Sequence, residues 1–484
     1  MRVLSLQSGT SADGIDVAIV DFAVADDAIL NGTVVNDAVA DDAVLNGAVA
    51  GDAVLNGAVL NGTVVDSTVA HDSLAPWLEL RTVDARTVGW SPELRSRVLA
   101  LADGAQVTAE EFCTLNTLIG QSCAAVAEAS MRELDTRVDL VVSHGQTVYH
   151  WVKDGHARGT LQLGEAAWIA EATGAPVLSN LRAADIAAGG EGAPLMGVFD
   201  RAWLGASAAE AGTPLATVNL GGIANLSIVT PGGELMGWDT GPGNCLIDAV
   251  IARATGGEIG FDEDGRIAAA GRVNESLLAA LLEHPYLART APKSTGRETF
   301  GLAFVDSVVE PVDSVVEPVE TDSQHSDSRH GAVALEDLVA TLTQLTARTI
   351  SNGLRAYGDA LTDAGTRPKR LIASGGGVHN PSLMTALGNE LGEHGIALES
   401  CANHGIDPDF KESLMFALLG FMSWHGIPCQ LPATEPTQAR IAGQLAFGPA
   451  PLTLPYPLTR IRGLRILSGA HATSESAATE RAVR

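Results

Sequence analysis

The chain opens with two apolar, strand-prone runs, Arg2–Leu6 and Ile15–Phe22, on either side of a polar tip from Gly9 to Gly14. Strand, polar turn, strand is the pattern of a hairpin. A similar unit recurs at Ala216–Val229, where Asn219, Gly221 and Gly222 separate two apolar runs. Two such openings predict a duplicated α/β architecture. One half spans 1–212, the other 213–466, and 467–484 reads as a disordered tail. Helical spacing marks Pro92–Leu101, a helix opened by the capping box Thr108–Glu111 and running to about Leu134, then Asn274–Leu287, and Leu335 to about Leu361. Buried strands are expected at Val138–Ser143, ending at His144, and at Arg370–Ser374.

Two stretches break this pattern. Residues 23–72 parse into ten five-residue units, each beginning Ala or Thr and then Val or Ile. Such a period reads either as a short β-solenoid, loosely like the pentapeptide repeats, or as a slippage-type expansion in a surface loop. Residues 305–331 carry DSVVEPV twice followed by Ser, His and Asp, and are expected to be a disordered insertion.

Composition narrows the class of partner. At 484 residues and 46% hydrophobic content, the chain can bury the core of two domains. The formal charge of −28 lacks the basic footprint of a nucleic-acid binder. Much of that charge is local: eight acids and no Lys or Arg lie between Ala25 and Asp72, and seven acids between Asp306 and Asp327. No run of about twenty apolar residues predicts a membrane span, and no leader pattern opens the chain. The cysteines at 113, 123, 245, 401 and 429 show no C-x-x-C spacing, so neither zinc nor a disulfide framework is expected. A cytoplasmic enzyme fits.

The candidate chemistry sits at the glycine-rich interruptions. Gly237–Asn244, with three glycines and a proline, reads as a rigid loop that cannot continue a strand. It places Asp239 before a helix N-terminus, where the carboxylate either orients or deprotonates a nucleophile or simply caps a turn. The tip Gly9–Gly14 can offer N–H groups and hydroxyls to phosphate, with Asp13 for a metal-bound water, or it is an ordinary polar turn. His144 and Gln146 mark the expected strand end. Arg182 and Asp185 lie three residues apart in a glycine-dense loop, as a ligand clamp or an internal ion pair. Pro292–Glu298 is basic and hydroxyl-rich, suited to phosphate or sugar. Gly375, Gly376 and Gly377 leave backbone bare where a nucleotide could approach. Glu412 falls early in a predicted helix.

Eight motifs in this order resemble the anhydro-N-acetylmuramic acid kinase family, of the actin/sugar-kinase/Hsp70 ATPase fold. They are SGTSADGID (8–16), SHGQT (143–147), RAADIAAGGEGAPL (182–195), NLGGIANLS (219–227), GWDTGPGN (237–244), PKSTGRE (292–298), SGGGVHN (374–380) and Glu412 before Met415-Phe416-Ala417. The resemblance implies two duplicated actin-like (ribonuclease H-like) ATPase domains with a cleft between them, plus the two low-complexity insertions. It implies ATP and Mg²⁺ as cofactors and the amino sugar of cell-wall turnover as substrate, opened by water and phosphorylated on O6. Asp239 would be the catalytic base. Gly9, Thr10, Ser11, Ala12, Asp13, Gly14, Ile15, Asp16, Asn219, Gly221, Gly222 and Gly375–Gly377 would hold ATP, with Asp13 at the metal. His144, Gln146, Arg182, Asp185, Gly241, Asn244 and Glu412 would meet the sugar. No nucleic-acid or membrane partner is implied, and a homodimer is left open. The chain departs from the family pattern at Gln7 (usually Met), Asn180 (usually Asp) and Glu165 (usually Asn or Asp). Two rival readings are an ATP-binding interaction module of the same fold and a kinase for another sugar.

Overall fold

The computed structural model describes residues 1–9, 12, 14–25, 58–60, 63–65, 75–102, 104–154, 156–291, 293–296, 299–314, 333–360, 367–431 and 438–467. The chain forms two compact units. The first is Met1–Ala188 with Phe416–Cys429 and Ala439–Arg484; the second is Gly189–Met415 with Gln430–Gln438. The division therefore falls at 188/189 rather than at the expected 212/213, and the chain returns to the first unit after the second. Length and composition carry no trace of such a return.

The first unit is built on strands β1 (Arg2–Ser8), β2 (Gly14–Ala25), β5 (Trp77–Gly89), β6 (Leu140–Lys153), β7 (His156–Leu163), β8 (Val177–Ser179), β14 (Gln444–Ala446) and β15 (Gly463–Leu467). A separate antiparallel pair, β3 (Ala58–Leu60) with β4 (Thr63–Val65), lies in the repeat, whose other residues beyond 25 and before 75 fall outside the described ones. The β1–β2 hairpin forms as expected, in register Gln7 opposite Asp16. It extends to Ala25, because Ala23–Ala25 pair with β5. β1 pairs in parallel with β6 and β6 in parallel with β8. β14 and β15 close the two edges, on β8 and β5.

The second unit repeats the central path. β9 (Leu215–Leu220), β10 (Ile223–Val229) and β11 (Leu235–Pro242) form an antiparallel meander. β12 (Arg370–Ser374) then joins β9 in parallel, and β13 (Ala397–Ser400) joins β12 in parallel. In each unit a first central strand has two antiparallel successors on one side and two parallel ones on the other: β5-β2-β1-β6-β8 in the first, β11-β10-β9-β12-β13 in the second. The protein is thus α/β with two mixed sheets.

Helices α1 (Pro92–Ala102), α2 (Ala109–Glu133), α3 (Ala166–Thr173) and α4 (Ala183–Ala187) serve the first unit. α2 starts where its capping pattern predicts: Thr108 Oγ1 accepts the Glu111 N–H at 3.1 Å. The reciprocal half of the box is not made, because the Glu111 carboxylate instead takes a two-pronged contact from Arg97 of α1. The second unit holds α5 (Met196–Ala211), α6 (Cys245–Ala254), α7 (Arg266–Ala270), α8 (Glu275–Leu282), α9 (Leu302–Ser314), α10 (Leu335–Ala360) and α11 (Pro381–Gly392). α12 (Lys411–Trp424) begins in the second unit and ends in the first.

Three expectations need correction. α8 stops at Leu282 instead of Leu287, just short of His284-Pro285, where proline disfavours helix in its predecessor. Residues 305–314 are not a disordered insertion but most of α9. Val305 is fully buried among Tyr286, Phe300 and Leu338, and Leu302, Val308 and Val309 pack beside it at helical spacing. Burying one such valine is worth about 1.5–3 kcal/mol, which outweighs the low-complexity character of the sequence. Finally, β6 does not end at His144; it runs on to Lys153 by exchanging β1 for β7 as its partner.

Candidate functional site

Asp239 lies within strand β11, paired with Asn225 of β10, so Gly237–Pro242 continues a strand after all. A register shift between Ala224 and Asn225 absorbs the awkward residues, and Gly and Pro are tolerated at such irregularities. The following turn is stapled to the tip of the β9–β10 hairpin. Gly243 N and Cys245 N donate to Gly222 O at 2.9 and 3.1 Å, and Asn244 N donates to Gly221 O at 2.8 Å. A side chain at Gly243 would run into the Gly221 carbonyl. At the start of α6 the N–H groups of Asn244 and Cys245 are therefore committed to backbone carbonyls.

The Asp239 carboxylate meets residues 293–295. Its Oδ2 accepts from Ser294 Oγ and from Thr295 N, each at 2.9 Å. Its backbone N donates to Lys293 O at 3.0 Å, and its carbonyl accepts from the Tyr286 hydroxyl at 2.8 Å. Lys293 Nζ donates to the carbonyls of Tyr286 and Leu287 and lies 4.7 Å from the centroid of the Tyr286 ring. Burial, with Asp239 beside it, pushes the Tyr286 hydroxyl well above its usual range, so it stays a donor. Burial, and then the nearby Arg289, pull the Lys293 ammonium down. The motif at 292–298, read from sequence as a phosphate or sugar contact, thus holds Asp239 through Lys293, Ser294 and Thr295. Its Pro292, Arg297 and Glu298 lie outside the described residues.

The triple glycine is strand end, turn and helix start, with Asn380 Oδ1 capping α11 by accepting the Leu383 N–H. Its three members differ. A Cβ on Gly375 would come 2.5 Å from Asn219 Oδ1, and one on Gly377 would come 2.6 Å from Leu220 Cβ. Those two are glycine because β9 packs behind them. Only Gly376 faces open space. Asn244 Nδ2 donates to Leu220 O at 3.3 Å, tying the same turn from the other side.

Glu412, half-buried in the first turn of α12, follows Lys411, whose Nζ sits 2.7 Å from Asp200 Oδ1 with both side chains almost fully buried. Thr217 Oγ1 donates to Asp200 Oδ2 at 2.8 Å, and the Trp203 ring lies 5.6 Å from the ammonium.

In the first unit, Thr10, Ser11 and Asp13 of the expected phosphate tip lie outside the described residues. The Ala12 N–H turns back to Gly9 O at 3.0 Å. Gly9 O accepts from Gln146 Nε2 and Ala12 O from Arg95 Nε. Gly14 packs on β5, Ile15 is a core residue, and Asp16 accepts from Gln7 Nε2 and Thr87 Oγ1. His144 is buried, its ring tilted against Phe416 with centroids 4.6 Å apart, and its Nε2 accepts from Arg182 Nε at 3.0 Å. Its Nδ1 faces Gly145 O at 3.2 Å, which assigns the proton to Nδ1. Burial, reinforced by Arg182, holds this imidazole well below its usual range and therefore neutral. Asp185 is buried in α4, one turn from Arg182.

A cavity of about 320 Å³ opens beside His144, lined by Asn116, Ser143, Gln162, Glu165, Ser179 and Asn180 among others. Ser143 Oγ is buried there with no hydrogen-bond partner among the described residues, as is Gln146 Oε1 close by. Such groups are costly unless something satisfies them. Sequence reading did not single out Asn116 and Gln162, since no local pattern marks a residue that reaches a cavity from a neighbouring element.

Against known proteins, the sequence profile of the anhydro-N-acetylmuramic acid kinase family matches residues 54–447. The kinase of that name from Streptomyces coelicolor is 39% identical over 97% of this chain and 100% of its own. The one from Rhodococcus erythropolis is 36% identical over 93% of this chain and 94% of its own. The chain belongs to the anhydro-N-acetylmuramic acid kinase family. Among solved structures, a ROK hexokinase from Thermus thermophilus aligns over 87% of this chain and 99% of its own, at 13% identity and a TM-score of 0.32, a likeness too slight to bear on the fold. Kinase activity, ATP binding and an amino-sugar substrate come with membership of the anhydro-N-acetylmuramic acid kinase family. Among the described residues, no helix is long and apolar enough to cross a membrane, and no group of three or more His, Cys, Asp or Glu side chains could hold a metal ion.

Proposed function

We propose that the chain opens 1,6-anhydro-N-acetylmuramic acid with water and passes the γ-phosphoryl group of ATP to O6, with Asp239 as the base. The water oxygen bonds to C1 as the C1–O6 bond breaks; its proton goes to Asp239, and O6 attacks the γ-phosphorus as ADP leaves. Water is far too weak an acid to attack at neutral pH without such a base. The observation that carries the reading is the fixing of Asp239 by Ser294, Thr295, Lys293 and Tyr286. A capping aspartate needs no such second layer. Phosphoryl transfer asks a protein for positioning and charge neutralisation, and rigid backbone turns with a few carboxylates can supply both.

The repeated strand order supports reading the two units as actin-like ATPase domains. Open space at Gly376 suits the approach of a nucleotide, while Gly375, Gly377, Asn219, Gly221, Gly222 and Asn244 shape the turn behind it. Bound Mg²⁺ supplies charge neutralisation at the phosphates; its expected ligand, Asp13, lies outside the described residues. His144, Gln146, Arg182 and Asp185 belong in this reading to the sugar side, with the polar cavity next to His144 suited to hydroxyl and amide groups. Glu412 is a sugar contact in the same reading, and the enzyme works in the cytoplasm.

Asp239→Asn tests the reading. Turnover of the anhydro-sugar should fall by about 10²- to 10⁴-fold while ATP and sugar still bind. In ¹⁸O-water the parent should carry label at the C1 hydroxyl and none in the phosphate ester. Label in the phosphate, or a near-parent rate for the variant, overturns the mechanism.

A further inference from the structure

We infer that Ser294 is a positioning residue for Asp239, an inference that rests on the reading of Asp239 as the base. Two donors converge on one carboxylate oxygen: the Ser294 hydroxyl and the Thr295 N–H both reach Oδ2 at 2.9 Å. The main chain of Asp239 is gripped on both sides by Lys293 O and the Tyr286 hydroxyl. Residues 293–295 act as a strap laid along the aspartate, and Lys293 anchors the strap to the Tyr286 and Leu287 carbonyls.

Ser294 is the separable part of this arrangement. It is exposed, so its loss opens no cavity, and it is the one strap residue that reaches the carboxylate through a side chain. Donors on a carboxylate favour its charged form and limit rotation of its plane. Without Ser294, the carboxylate keeps one donor from the strap, holds its proton to higher pH and samples more orientations. Among the described residues, the charged and titratable groups around it include Tyr286, Lys293 and Arg289, the last lying 5.7 Å from the Tyr286 ring centroid. Lys293 directs its ammonium at carbonyls and Tyr286 remains a donor. On the β10 side the paired residue is Asn225, which carries no charge. Removing the Ser294 hydroxyl therefore changes the aspartate's surroundings without changing the charge around it.

The experiment compares the full-length parent with Ser294→Ala, Ser294→Thr and Asp239→Asn, using the anhydro-sugar and MgATP across pH 5–9. Ser294→Ala should lower kcat by about 3- to 10-fold at neutral pH, the scale of one hydrogen bond. KM for ATP should stay within about two-fold, and the acid limb of the kcat profile should move up by roughly half a pH unit. Ser294→Thr, which keeps the hydroxyl, should restore both. An unmoved acid limb and parent kcat in Ser294→Ala, beside a dead Asp239→Asn, overturn this inference alone. A raised KM with unchanged kcat also overturns it, by making Ser294 a substrate contact. A near-parent Asp239→Asn overturns the base reading, and this inference with it.

Discussion

Lys411→Met isolates a buried charge. In the native fold Lys411 and Asp200 are 3% and 1% exposed at their side chains, with Nζ and Oδ1 2.7 Å apart. Removing one member of such a pair leaves the other charged without compensation, at a typical cost of about 3–5 kcal/mol. Asp200 would keep the Thr217 hydroxyl on its other oxygen, which argues for the low end, about 3 kcal/mol. For a cooperative unit of ~150–250 residues each kcal/mol lowers Tm by about 2–4 °C, so the variant should melt roughly 6–12 °C below the parent. The double variant Asp200→Leu/Lys411→Met buries no charge and strands only the Thr217 hydroxyl, a loss of about 1 kcal/mol. It should recover most of the stability, giving a coupling of about 2 kcal/mol or more in a double-mutant cycle. Thermal and urea unfolding of the ligand-free protein measure both quantities. A drop of less than about 2 °C in Lys411→Met, or a double variant no better than the single, refutes the assignment of a coupled buried pair.

Gly376→Ala and Gly377→Ala should separate nucleotide contact from packing: the first keeps the parental Tm but binds ATP more weakly, whereas the second loses stability because its Cβ meets Leu220. Calorimetric ATP titration beside a melting curve reads both effects, and a Gly376→Ala with parental affinity removes that residue from the nucleotide wall. Because burial keeps His144 neutral in the folded protein, its unfolded form binds the extra proton first; the associated stability is present above about pH 6.5 and is lost as pH falls below it. Urea midpoints between pH 5 and 7.5 should therefore slope less for His144→Gln than for the parent, and equal slopes would exclude His144 as a source.

Local patterns carried the elements whose signals are short-range. The Thr108 cap and the turn from Ser374 to Asn380 are each written in fewer than about a dozen residues, the β1–β2 hairpin in two adjacent runs, and all three form. What could not be read locally was pairing. Gly237–Pro242 looks like a loop until β10 is laid beside it, and β6 looks finished at His144 until β7 takes over. The same limit applied to the site. Asp239 was singled out as a candidate from its own motif, but the meeting of Ser294 and Thr295 with it spans more than fifty residues of chain. α9 misled for a different reason: a repeated, acidic, proline-bearing segment has the composition of disorder, yet Val305 and its helical neighbours find a core to enter.

The closing of the first sheet by β14 and β15 has a consequence for synthesis. The sheet of the N-terminal unit has β8 and β5 as its edges until the last strands arrive, and those strands lie beyond Ala439. At ~5–20 residues per second, the ribosome takes roughly a quarter of a minute to a minute to travel from Ala188 to Leu467. Through that interval β5, thirteen residues long, lacks its β15 partner and is open to pairing with other chains. The second unit, made almost wholly from the continuous stretch Gly189–Met415, can fold in the meantime. The half synthesised first is thus completed last, and a chain cut short near its C-terminus fails at its beginning.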